Sequence, residues 1–102
     1  MWAQLLKMTV RSGHEDELLN LSKTWEREVG NSSDSGWLRT QILRSEERPE
    51  EVYLLVYFES EEKARANEAT SRHQELTGQI ADLAEGVPEF VDLIPVDDSS
   101  RS

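Results

Sequence analysis

The run Val52-Tyr53-Leu54-Leu55-Val56-Tyr57-Phe58 constrains the fold of this chain more than any other segment. Its β-branched and aromatic residues read as a strand. Side chains alternate across a strand, so Val52, Leu54, Val56 and Phe58 share one face and Tyr53, Leu55 and Tyr57 the other. Both faces are apolar, and such a strand expects cover on both sides. The rest of the chain must supply that cover or leave a face for a partner.

Residues 2–10 read as a first strand, with Trp2, Gln4, Leu6, Met8 and Val10 on one face. Ser12-Gly13 breaks it, and Glu15, Asp16 and Glu17 suit the positive end of a helix dipole. Leu18, Leu21, Trp25 and Val29 then form an apolar stripe at helical spacing, from about 15 to 29. A polar loop from Gly30 to Gly36 follows; its Asn31 sequon is read as chance. Residues 37–45 read as a strand that pairs with 52–58 across a charged turn containing Arg48-Pro49. Ser60-Glu61-Glu62 opens a helical region running to about Gly86, with a break expected between 69 and 78 because Gly78 weakens it. Gly86-Val87-Pro88 is expected to end that region, Glu89 to Val96 to form the last strand, and 97–102 to be a disordered tail.

The order is strand, helix, strand, strand, helix, strand: an α+β, ferredoxin-like βαββαβ domain over residues 1–96. Two helical regions cover one face of a four-stranded antiparallel sheet and leave the second bare. Pairing two such faces in a homodimer is the simplest remedy. A chain of 102 residues has a modest core, so a partner surface would help.

Composition narrows the function classes. Twenty-one acidic residues against eleven basic ones give a formal charge of −10, which repels phosphate backbones and anionic lipid. Neither nucleic-acid nor membrane partners are expected, and no apolar run approaches a membrane span. The chain has no cysteine, hence no disulfide and no thiolate site. His14-Glu15-Asp16-Glu17 lacks a second histidine at helical spacing, so no metal is expected. Without a leader-like start, a cytoplasmic setting is the default.

The layout, together with Val56-Tyr57-Phe58-Glu59-Ser60-Glu61-Glu62-Lys63-Ala64 and Ser71-Arg72-His73-Gln74, resembles the antibiotic biosynthesis monooxygenase family of dimeric α+β barrels. Phe58 stands where that family usually has tryptophan and Asn67 where it often has histidine, while His73 matches a commonly found histidine. The resemblance implies either a cofactor-independent monooxygenase acting on a small aromatic or quinone-like substrate, or a non-catalytic dimeric binding domain of the same fold. It argues against haem, because Leu6, Asn67 and Thr77 stand where the haem-degrading branch keeps asparagine, tryptophan and histidine.

Six residues are candidates for a site. His73 shares a helical face with Leu76 and Ile80 and suits a general base; a half-buried core histidine is the plainer reading. Asn67 could orient a substrate carbonyl or oxygen, or be an exposed amide. Trp2 and Trp37 could wall an apolar pocket with Gln4 and Arg39 as polar anchors, or simply pack the core or an interface.

Overall fold

A computed structural model of the chain describes residues 1–101. Strand β1 (Trp2–Val10) leads to helix α1 (Glu15–Trp25), whose last turn widens into a π-helical turn at Glu26–Gly30. Strands β2 (Trp37–Arg44) and β3 (Glu51–Phe58) form the hairpin. Helices α2 (Glu61–Glu68) and α3 (Ser71–Ala81) follow, and β4 (Ala84–Leu93) closes the sheet. The sheet order is β2-β3-β1-β4, with every neighbouring pair antiparallel. This is the ferredoxin-like α+β topology that the element order implied.

The second helical region divides at Ala69-Thr70 rather than at its glycine. Thr70 is extended, and its hydroxyl accepts from the His73 backbone N–H, capping α3. The Ser60 hydroxyl caps α2 in the same way, accepting from the Lys63 N–H. Gly78 stays inside α3, where an added Cβ would meet nothing within 4 Å.

The last strand departs from the sequence expectation by starting at Ala84 instead of Glu89. Pairing with β1 jumps from Lys7↔Glu89 to Thr9↔Glu85, so Gly86, Val87 and Pro88 lie opposite Met8 alone. Gly86 adopts φ 77° there. The Gly-Val-Pro segment that reads as a helix terminator is therefore a bulge within a strand, where glycine takes positive φ and proline needs no ladder donor. Ile94 to Val96 fall beyond the strand.

The helices cover the face bearing Val52, Leu54, Val56 and Phe58. Two apolar clusters lie beneath them. One contains Met8, Val10, Leu18, Val52, Leu54, Ile80 and Leu83. The other contains Trp2, Trp25, Val29, Phe58, Ala64 and Leu76. Leu76 is sealed at 1% exposure, a burial worth about 1.5–3 kcal/mol.

The opposite sheet face carries no helix. Register places Ala3 beside Tyr57 and Leu93, Leu5 beside Leu55 and Val91, and Lys7 beside Tyr53. A second bulge, between Trp37 and Arg39, splits β2 in an unexpected way. It puts Trp37 on the helix side, where its indole N–H donates to the Thr40 hydroxyl at 2.9 Å. Arg39 pairs with Tyr57 on the open face and lies 4.5 Å from that ring.

Candidate functional site

Between the sheet and the helices lies a cavity of about 400 Å³. Gln4, Leu6, Thr40, Leu54, Val56, Phe58 and Phe90 form its floor from all four strands. Its roof comes from Ser22 and Trp25 of α1, Glu68 of α2, and His73, Gln74, Thr77, Ile80 and Ala81 of α3. The walls are mostly carbon, with polar groups at a few points. Glu68 is the one carboxylate in the lining, and no lysine or arginine lines it.

His73 reaches the cavity because α3 starts only two residues earlier, at the Thr70 cap. Its Nδ1 accepts a hydrogen bond from the Trp25 indole N–H at 3.0 Å. Burial lowers its proton affinity below the ordinary histidine value, with Glu68 acting weakly in the opposite sense. Thr77 returns its hydroxyl to the His73 carbonyl at 2.9 Å, so it is occupied within its own helix.

Trp25 is held from several sides. Its ring meets Trp37, Phe58 and His73 edge to face, with centroids 6.0, 6.2 and 6.1 Å away. It sits directly before the π-helical turn, a local widening often met at functional sites. Gly30 ends that turn against the same ring: a Cβ there would lie 2.9 Å from Trp25 and 3.0 Å from Trp37.

Behind these rings, the buried Ser35 hydroxyl donates to the Gly30 carbonyl. Asn67 in turn donates its amide to the Ser35 carbonyl at 2.8 Å. Asn67 is buried at 7% exposure and does not line the cavity. Its side chain clamps α2 to the loop before β2, so the exposed-amide reading fails, and any effect on the site passes through Ser35 and Gly30.

Of the six residues singled out in the sequence, the structure brings only His73 and Gln4 into the cavity wall. Gln4 donates to Asp92 at 3.0 Å, and Arg65 bonds the same carboxylate at 2.7 Å. Those two partners, Gln4 first, hold Asp92 below the usual carboxylate range. Trp2 is buried behind the cavity, packed on Phe58 at 6.3 Å with Arg65 over its ring at 5.0 Å. Trp37 packs on Trp25 outside the lining, and Arg39 lies across the sheet. The bulge at the start of β2 separates Trp37 from Arg39.

Sequence reasoning missed Glu68, Ser22, Thr40 and Phe90. Thr77 falls four residues after His73, which is a readable signal. The others come from separate elements and share no local pattern. Among the described residues no group of three or more His, Asp or Glu could hold a metal ion, and no helix is long and apolar enough to cross a membrane.

Fold and site together define a ferredoxin-like α+β protein with an apolar cavity between its sheet and its helices. The chain belongs to the antibiotic biosynthesis monooxygenase family, whose model matches residues 1–78. Among solved structures it is similar to a mutant of SnoaB, a cofactor-independent oxygenase from Streptomyces nogalater. That match has 11% identity over 95% of this chain and 94% of that one, with a TM-score of 0.80. It is also similar to Rv0793 from Mycobacterium tuberculosis (15% identity, 97% and 98% covered, TM-score 0.76). A conserved protein from Methanosarcina mazei Go1 matches with 16% identity, 91% of both chains covered and a TM-score of 0.76. At these identities the likeness establishes the fold alone. No curated protein matches the chain significantly.

Proposed function

We propose that the protein is a cofactor-independent monooxygenase-like enzyme acting on a small aromatic or quinone-like substrate held beside His73. The observation that carries this reading is the apolar cavity of about 400 Å³ with a half-buried histidine in its wall, on the fold of an oxygenase family. That volume suits a small flat molecule. The chemistry needs a substrate that supplies its own electrons. A ring CH2 activated by a conjugated carbonyl loses a proton to become an electron-rich anion, which reduces dioxygen. One oxygen atom ends as a new carbonyl on that carbon, and the other leaves as water with the two hydrogens. Glu68 is the only carboxylate in the lining able to receive the proton, and His73 supplies a polar contact for the anion's oxygen. Apolar walls exclude water that would otherwise solvate the anion.

Oxygen uptake measured with a panel of anthrone- and quinol-like compounds tests this. Uptake matched one to one by the oxidised product is expected, and His73→Ala should slow turnover by about 10²–10³-fold, as for loss of a donor to a developing oxyanion. Tight binding of such compounds without oxygen uptake would favour a non-catalytic ligand-binding domain. His73 takes no base role in this reading, because Trp25 occupies its Nδ1 and leaves the neutral ring no free lone pair.

We also propose that the protein is a homodimer through the open sheet face. Leu5, Tyr53, Leu55, Tyr57 and Val91 are only half-buried there, and Leu43 is 49% exposed. Ile94 borders the same surface as Leu55 and Tyr57 and stands 76% exposed, able to reach over a partner. An apolar sheet face of this extent supports a self-complementary partner.

A further inference from the structure

The Trp25–His73 hydrogen bond fixes more than the position of a ring. An indole N–H can only donate, so His73 Nδ1 must be the accepting, unprotonated nitrogen. In a neutral imidazole the proton then sits on Nε2. Nε2 has no hydrogen-bond partner among the described residues, and no unpartnered polar side-chain atom is sealed from solvent. That nitrogen is therefore accessible, on a residue that lines the cavity. Protonating the ring would set an N–H against the indole N–H, so Trp25 opposes the charged form as burial does.

We propose that Trp25 is a positioning residue that holds His73 as its Nε2–H tautomer, so that the cavity offers its ligand a hydrogen-bond donor and selects a neutral compound bearing a carbonyl oxygen. The lining agrees with this choice. Glu68 repels an anionic ligand, and no cationic side chain in the wall offsets it. Gln74 spends its amide on the Glu68 carbonyl and Thr77 its hydroxyl on the His73 carbonyl. On the roof the His73 Nε2–H and the Ser22 hydroxyl are thus both without a partner among the described residues, and only the first has its proton placed by Trp25. The inference rests on the cavity's being a ligand site and does not require turnover.

Nitrogen-15 NMR of the ligand-free protein at neutral pH tests the tautomer directly. His73 is expected to show a protonated Nε2 and an unprotonated Nδ1, with a coupling across the hydrogen bond to the Trp25 indole nitrogen. A proton on Nδ1, a rapidly mixed ring, or no coupling overturns the proposal, and these wild-type measurements stand even if a variant folds poorly. In a folded Trp25→Phe variant the tautomer preference should weaken and the His73 titration midpoint should rise; an unchanged ring overturns the role of Trp25. Glu68 is the carboxylate that acts on His73 from the same lining, so Glu68→Gln serves as the control for charge.

The ligand class is tested with three tricyclic probes. Fluorenone should bind roughly tenfold tighter than fluorene, the worth of one net hydrogen bond, and tighter still than fluorenone-4-carboxylate. His73→Phe should erase the preference for fluorenone over fluorene. Equal affinities in the wild type, preference for the carboxylate, or no binding of fluorenone overturns the assignment. Oxygen uptake is a separate readout: its absence removes the monooxygenase reading and leaves the tautomer and the ligand class standing.

Discussion

Trp25 and His73 lie 48 positions apart in the chain, yet the indole nitrogen meets the imidazole Nδ1 at 3.0 Å with the rings inclined at 73°. This contact joins α1 to α3 across the roof of the cavity. It also couples the core, through Trp37 and Phe58, to the one histidine that faces the cavity.

The half-buried His73 makes stability depend on pH in a stated direction. Its folded-state proton affinity is lowered, chiefly by burial, below the unfolded value of about 6.5. In the window beneath 6.5 the unfolded chain binds a proton that the folded chain refuses, so stability is lost as pH falls through it and is fully present above it. Urea midpoints measured from pH 7 to pH 5 should fall more steeply for the wild type than for His73→Phe. Parallel profiles would show that His73 is not the group responsible.

Two neighbouring leucines on β3 should fail in different ways. Leu55 points to the open face and Leu54, at 5% exposure, to the core. Leu55→Asp should yield folded monomers by sedimentation, because an aspartate would be buried unpaired only in the dimer. Leu54→Asp should unfold the chain at any concentration. A wild type that sediments as a monomer at micromolar concentration would remove the dimer proposal.

Two glycines make a matched pair. Gly30→Ala forces a methyl group against Trp25 and Trp37, and overpacking of this kind costs about 1–3 kcal/mol. It should also shift tryptophan fluorescence. Gly78→Ala places its methyl group in open space within α3 and should raise stability by about 0.4–1 kcal/mol. Denaturant titration of the two variants checks both signs.

Asn67→Ala leaves the buried Ser35 carbonyl without its donor, a loss of about 1–3 kcal/mol. Because Asn67 is not in the cavity lining, ligand affinity of the folded fraction should hold. A variant of full stability with lost binding would mean that Asn67 reaches the ligand in a different arrangement.

Much of this architecture is local in origin and so could be read along the chain. The apolar run at 52–58 implied a strand, and it forms β3. The Leu18, Leu21, Trp25 stripe implied a helix against the sheet, and those residues pack in the clusters beneath it. His73 was legible for the same reason, since its spacing to Ile80 places both on the cavity side of α3. Each inference needs only the periodicity of one element.

What alternation could not carry was any feature created between elements. The bulges at Trp37/Arg39 and opposite Met8 depend on pairing register, which a partner strand settles, so Arg39 crossed the sheet and β4 began early. Asn67 could be read as a site residue or as a solvent-facing amide, and a loop thirty-two positions earlier presents its Ser35 carbonyl to it instead. The sequence by itself determined the order of the elements and the apolar side of each, because those follow from side-chain spacing within a few turns of chain. Only the tertiary structure decided which nitrogen of His73 is engaged, because that depends on one indole donor brought within hydrogen-bond reach by the packing of α1 on α3.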